Sequence, residues 1–113
     1  MLAVLALCMY AGCGKQVHTG EKNITLTIVY KDATRQTITL STNKNYLAEA
    51  MVEAALIEYA NDGYYTTING VTANYNVDKG WWCLTKDGVM TSQGLNTQII
   101  ADGDAFELTY TVS

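Results

Sequence analysis

A chain of 113 residues, 49% of them apolar, has room for one domain, of a size that buries roughly 60–65% of the surface its unfolded form exposes. Its net charge of −4 and seven scattered basic residues leave no Lys/Arg cluster to neutralise phosphates, which excludes a nucleic-acid footprint, and no basic face to lie on a membrane. Three cysteines and a single histidine are too few for a disulfide scaffold or a zinc site.

Residues 2–11 form an apolar run too short to span a bilayer. The run ends in small residues, the layout of a secretory h-region and its cleavage site. Tyr10-Ala11-Gly12-Cys13 resembles a bacterial lipobox, the motif whose cysteine is lipidated and becomes the first residue of the mature chain. Tyr10 stands where leucine is usual, and no Lys or Arg precedes the run; a start codon placed too far downstream would account for the missing basic residues. A plain signal peptide or a fragment of a transmembrane anchor is the competing reading. On the lipobox reading Cys8 leaves with the signal, Cys13 carries lipid and holds the chain on the outer face of the cell membrane, and Cys83 is the one thiol left. Residues 1–13 are then a signal segment, 14–23 a flexible polar tether containing His18, and 24–113 the domain.

Ile24, Leu26 and Ile28 alternate with Thr25 and Thr27, which predicts a strand with one buried face. Lys31 to Thr34 turns the chain, and Gln36 to Ser41 returns with Ile38 and Leu40 inward, completing a hairpin over 24–41. Thr42 or Asn43 is placed to cap a helix that begins at Tyr46 and ends near Ala54 or Ala55. Leu47, Ala50, Met51 and Ala54 fall on one apolar stripe, with Glu49 and Glu53 on the wet side; Leu56 and Ile57 cover the edge of the core. Asn61-Asp62-Gly63 turns into a short strand over Tyr64 to Ile68, and Asn69-Gly70 is a hairpin turn leading to Val71-Thr72-Ala73. Asn74 to Lys79 reads as a polar loop.

Trp81 to Thr85 is a strand of aromatic and branched residues, closed by a tight Lys86-Asp87-Gly88-Val89 turn. Asp102-Gly103-Asp104 is a structural turn with too few oxygens for calcium. It feeds a last strand in which Phe106, Leu108, Tyr110 and Val112 share a face. Adjacent tryptophans on a strand point to opposite faces: either both pack, or one ring floors a ligand or partner site. Eight tyrosines suit either strand faces or a recognition surface. Cys83 reads as a small buried hydrophobe, and with His18 in the tether no nucleophile–base pair argues for an enzyme.

Two strands, a helix, then further strands give an α+β domain, one helix across one face of a mainly antiparallel, β-grasp-like sheet.

Five stretches taken in order resemble the transcobalamin-like C-terminal domain family. They are Tyr46-Leu47-Ala48-Glu49-Ala50, Tyr64 to Val71, Trp81-Trp82, Ser92-Gln93-Gly94-Leu95, and Asp102 to Leu108. The family is common in surface proteins of Gram-positive gut bacteria. The resemblance covers residues 24–113. In the namesake carriers of vitamin B12 this domain resembles a lid that closes over the corrin against a separate helical barrel. Carried over by position, the resemblance implies that Trp82, Ser92, Gln93, Gly94 and Leu95 face a ligand such as cobalamin, that Trp81 is the core residue, and that Asp102-Gly103 is structural. Lys86-Asp87-Gly88 replaces the usual bacterial Val-Asn-Gly turn, Ala55 stands where glycine often ends the helix, and 113 residues leave no room for the barrel. Two functions follow from the resemblance: capture of a corrinoid or another flat amphipathic molecule, or adhesion to a surface protein or glycan. Trp82 beside a concave loop would favour the first, and a flat aromatic patch the second.

Overall fold

The computed structural model describes residues 17–112; Cys13 and the lipobox stretch lie outside them. Strands β1 (Lys22–Val29) and β2 (Arg35–Thr42) form the expected hairpin. Ile24, Leu26 and Ile28 are buried on its inner side, and Thr25, Thr27, Thr37 and Thr39 occupy the other. The strand begins at Lys22, inside the stretch read as tether. The Lys22 side chain is buried, and its ammonium donates to the carbonyls of Gly20 (3.1 Å) and Lys44 (2.8 Å). Backbone oxygens thus meet a charge that would otherwise be costly to desolvate.

Helix α1 (Leu47–Glu53) is shorter than the sequence pattern predicts. Leu47, Ala48, Ala50 and Met51 are buried, whereas Ala54 is exposed and leaves the stripe. Neither Thr42 nor Asn43 caps the helix. Tyr46 occupies the N-cap position without a side-chain bond, and the Thr42 hydroxyl accepts from Lys44 N–H in the preceding turn. The first free amides, Leu47 and Ala48, donate instead to the carbonyls of Gln98 and Leu95, both at 2.9 Å. A distant loop satisfies donors that a local side chain was expected to take. At the other end Leu56 N–H bonds Met51 C=O and Ala55 N–H bonds Val52 C=O, a Schellman arrangement that puts Ala55 at φ 61°.

Strands β3 (Thr67–Ile68) and β4 (Val71–Thr72) pair about Asn69 and Gly70, whose φ values of 49° and 82° fit a type I′ turn. Tyr64 to Thr66 runs outside any strand. The expected loop at 74–79 holds a single helical turn, α2 (Tyr75–Asp78), because the Asn74 side chain caps Asn76 N–H and Lys79 closes the turn in the left-handed region. Strands β5 (Gly80–Lys86), β6 (Val89–Met90) and β7 (Ala105–Val112) complete the fold. The five-stranded sheet runs β2-β1-β7-β5-β6, with β1 and β7 parallel and its other pairs antiparallel. This is the α+β, β-grasp-like architecture read from the sequence. The inner face carries Leu26, Ile28, Leu84, Phe106 and Leu108 against α1, Ile68 and Ile100. Val112, expected inward, is exposed at the strand end.

Candidate functional site

Pairing of Leu84 with Leu108 fixes the parity of β5. Gly80, Trp82, Leu84 and Lys86 face inward; Trp81, Cys83 and Thr85 face outward. The expectation of Trp81 as the core residue is therefore corrected: it is 36% exposed on the outer face. Trp82 is half-buried and packs on the core. Its indole N–H donates to Thr66 C=O at 3.0 Å. Its ring meets the cross-strand Tyr110 edge-on, with centroids 5.3 Å apart at 71°, a favoured aromatic geometry.

Tyr110 is itself held in place. Its hydroxyl donates to Asp78 Oδ2 at 2.7 Å, Lys31 Nζ donates to the same oxygen at 2.7 Å, and Gly80 N–H donates to Asp78 Oδ1 at 2.9 Å. The bonds from Lys31 and Tyr110 hold the Asp78 carboxyl below its ordinary pKa, and the same carboxylate pushes the Tyr110 phenol up. Position 80 must be glycine for this approach, since a Cβ there would lie 2.6 Å from Asp78 Oδ1 and 2.7 Å from the Tyr110 ring.

The loop after β6 forms the opposite wall. Thr91 N–H bonds Leu84 C=O (3.1 Å), and the Thr91 hydroxyl donates to Gln93 C=O (2.8 Å). Gln98 N–H bonds Gly94 C=O (3.0 Å), and Leu95 is buried. With its bonds to the first turn of α1, this loop is pinned at both ends. A third wall comes from Tyr64, Tyr65 and Thr66. The Tyr65 hydroxyl donates to Asn96 Oδ1 at 2.6 Å, and Asn96 Nδ2 donates to Ala60 C=O at 2.7 Å.

Between these walls lies a cleft of about 280 Å³, lined by Trp82, Tyr64, Tyr65, Thr66, Gln93, Gly94 and Leu95 among others, and bordered also by Trp81 and Cys83, whose side chains point to the other face. A second, larger cleft of about 670 Å³ is lined by Tyr46, Ser92, Gln93, Asn96, Thr97, Gln98 and Ile99. Gln93 belongs to both. A third depression of about 640 Å³ adjoins the first through Tyr64, Tyr65 and Thr66 and contains none of the expected residues. Neither of the first two clefts is lined by Asp, Glu, Lys, Arg or His. Among the described residues no group of three or more His, Cys, Asp and Glu is placed to hold a metal ion.

Trp82, Gln93, Gly94 and Leu95 are thus brought together in the first cleft, and Ser92 lies in the second. Leu95 contributes from a buried position, as wall and core at once. Tyr46, Tyr64, Tyr65, Thr66 and Asn96 were missed as lining residues; the abundance of tyrosine was the available signal, but it could not distinguish strand faces from a recognition surface. Cys83 is half-buried, and burial raises its thiol pKa, the opposite of what a nucleophile needs. Asp102 and Asp104 are engaged in the turn: Asn23 N–H donates to Asp102 Oδ1 (2.7 Å), Ala101 N–H donates to Asp104 Oδ2 (2.9 Å), and Lys86 pairs with Asp104 (3.3 Å).

The family model described as Domain of unknown function (DUF4430) matches residues 43–112. That span includes α1, both clefts and every described candidate residue. No curated protein matches the sequence. Among solved structures, a protein of Ruminococcus gnavus ATCC 29149 described as a candidate metal binding protein is similar at 31% identity and a TM-score of 0.76. The alignment covers 82% of this chain and 99% of that one. Haptocorrin in complex with Cbi is similar in fold at 19% identity and a TM-score of 0.67, over 93% of this chain. The present chain spans only 28% of haptocorrin.

Proposed function

The chain belongs to the DUF4430 family, and we propose that within it this protein is a surface-anchored binding module that takes a flat, uncharged ligand of the corrinoid type. The observation that carries the reading is the chemistry of the paired clefts. One has an aromatic floor made by Trp82, the other a rim of amides and hydroxyls from Gln93, Asn96, Gln98, Ser92 and Thr97, and neither has a charged side chain. Aromatic floors suit the face of a planar molecule, and neutral amides suit its polar periphery. At about 280 Å³ the first cleft is slightly below the roughly 300–1,000 Å³ of ordinary ligand pockets, so it would grip one edge of such a ligand. A second surface would then cover the rest.

The haptocorrin likeness supports the ligand class through fold alone, since identity is 19%. The metal description of the other neighbour finds little support in cleft chemistry: hard cations want carboxylate oxygens and transition metals want several His or Cys ligands, and Cys83 is the one such residue that lines the first cleft. Lipid on Cys13 would place the module on the outer face of the membrane, and no step of catalysis is assigned to it. Absorbance of corrinoids differing in their lower ligand, titrated with the purified chain, tests the reading. A saturable spectral change with retention on gel filtration is expected; unaltered spectra and free elution of every corrinoid would overturn it.

A second reading, adhesion to a surface protein or glycan, draws on Trp81, which is 36% exposed and points to the outer face of the sheet while its residue also borders the first cleft. Loss of adhesion to host or bacterial surfaces on Trp81→Ala would support it.

A further inference from the structure

Strand β2 lies at one edge of the sheet. Tyr30 N–H bonds Thr34 C=O and Thr25 N–H bonds Asp104 C=O, and with the β1–β2 register these two bonds set the phase of the ladder. Even-numbered residues of β1 and β2 exchange bonds with each other, while odd-numbered residues of β1 face β7. The N–H and C=O groups of Arg35, Thr37, Thr39 and Ser41 consequently point away from the sheet, and no other described segment forms backbone bonds with them.

Free edges of this length are ordinarily blunted by proline, lysine, a bulge or an inward charge. Residues 36–42, QTITLST, contain none of these, and all eight residues of β2 pair with β1 in unbroken register. Arg35, the one charge, folds back across the sheet to pair with Glu107 at 3.4 Å and leaves the edge open.

We propose that β2 pairs antiparallel with β2 of a second copy of this chain, joining two five-stranded sheets across a two-fold axis. The strand is its own complement. With Thr37 opposite Thr39 and Arg35 opposite Ser41, the outward groups of both copies fall in register and form about eight backbone hydrogen bonds. On the inner side Ile38, half-buried in the single chain, meets Ile38 of the second copy and loses its remaining exposure. No like charges face one another across the seam, and the general repulsion between two chains of net charge −4 is screened over about 8–10 Å at ordinary ionic strength. On the opposite side the two-residue strand β6 covers only Thr85 and Lys86 of β5, and the rest of that edge, Gly80 to Leu84, borders the first cleft, with Gly80 N–H bonded to Asp78 and Leu84 C=O to Thr91. Among the described residues the one long edge outside the clefts is then β2, and pairing about a two-fold axis closes at two copies instead of growing into a filament. A single-strand seam buries less than the roughly 1,000 Å² typical of firm interfaces, so the dimer is weak and concentration-dependent.

Sedimentation velocity and amide hydrogen exchange of the full chain, over concentrations up to about 1 mM, test this. A reversible monomer–dimer equilibrium is expected, with Thr37 and Thr39 amides slowing as concentration rises. Thr39→Pro removes an outward N–H without touching the β1–β2 ladder, and Thr39→Lys adds the missing edge charge. Each should weaken dimerisation about tenfold or more. If Thr39→Pro fails to fold, Thr39→Lys decides. A chain that stays monomeric throughout, or a dimer that the folded variants preserve, would overturn the proposal.

Discussion

The two faces of the sheet use the same strands for different ends. The inner face is apolar, covered by α1, and passes without a break from core into cleft: Leu84 and Leu108 are core, and Trp82 is both core and cleft floor. The outer face is mostly threonine, with Trp81 and Cys83 at one side, and no described layer covers it. Trp81 and Trp82 are chain neighbours, yet the first is 36% exposed and points to the outer face, and the second anchors a pinned wall. A difference of one residue in strand parity separates a surface group from a structural one.

The largest effect expected from this contrast is at β1. Leu26→Ala, at a fully buried inner position, should cost about 2–5 kcal/mol, whereas Thr27→Ala on the outer side should stay within about 0.5 kcal/mol. Urea denaturation of both variants would break the contrast if the two costs were similar. Next comes the tryptophan pair. Trp82→Ala should destabilise by about 2–3 kcal/mol, below the range for a fully buried ring, and Trp81→Ala by about 1 kcal/mol; the reverse order in thermal melts would refute the face assignment.

A smaller effect concerns the helix that covers the inner face. Ala55 sits at φ 61°, so Ala55→Gly should stabilise the domain by about 0.5–1 kcal/mol, seen as a higher Tm. A lower Tm would mean that the Schellman turn is not what ends α1.

The smallest effect is electrostatic. Asp78 is held below its ordinary pKa by Lys31 and Tyr110, so its contribution is present above the usual carboxylate range and is lost as pH falls through the lowered folded value. Lys31 and Tyr110 are raised, and their contributions fade as pH rises through their folded values. Asp78→Asn should flatten the acid limb of Tm against pH relative to the parent; an unchanged acid limb would show that the latch on Tyr110 adds nothing.

Most of the fold was legible because its signals are local. Alternation marked β1, β2 and β7, and Asn69-Gly70 and Asp87-Gly88 marked their turns. What could not be read depends on long-range partners. The N-terminus of α1 is satisfied by Gln98 and Leu95, some fifty residues away, so the search for a local cap settled on Thr42 or Asn43. The parity of the two tryptophans is set by Leu84 against Leu108, a pairing invisible in Trp81-Trp82 itself. The family resemblance pointed to the loop Ser92 to Leu95, which lines the two clefts, but Tyr64, Tyr65 and Asn96 reach the clefts through tertiary hydrogen bonds that no spacing announces.

The central claim is that the inner cleft, and not the outer face, meets the ligand. Calorimetric titration of a corrinoid into Trp81→Ala and Trp82→Ala, with Trp82→Phe as the folded control, tests it most directly. Trp81→Ala should bind within about twofold of the parent, and Trp82→Ala should bind about tenfold or more weakly, with Trp82→Phe between them. Loss of binding in Trp81→Ala, or full affinity in a folded Trp82→Ala, would contradict the account.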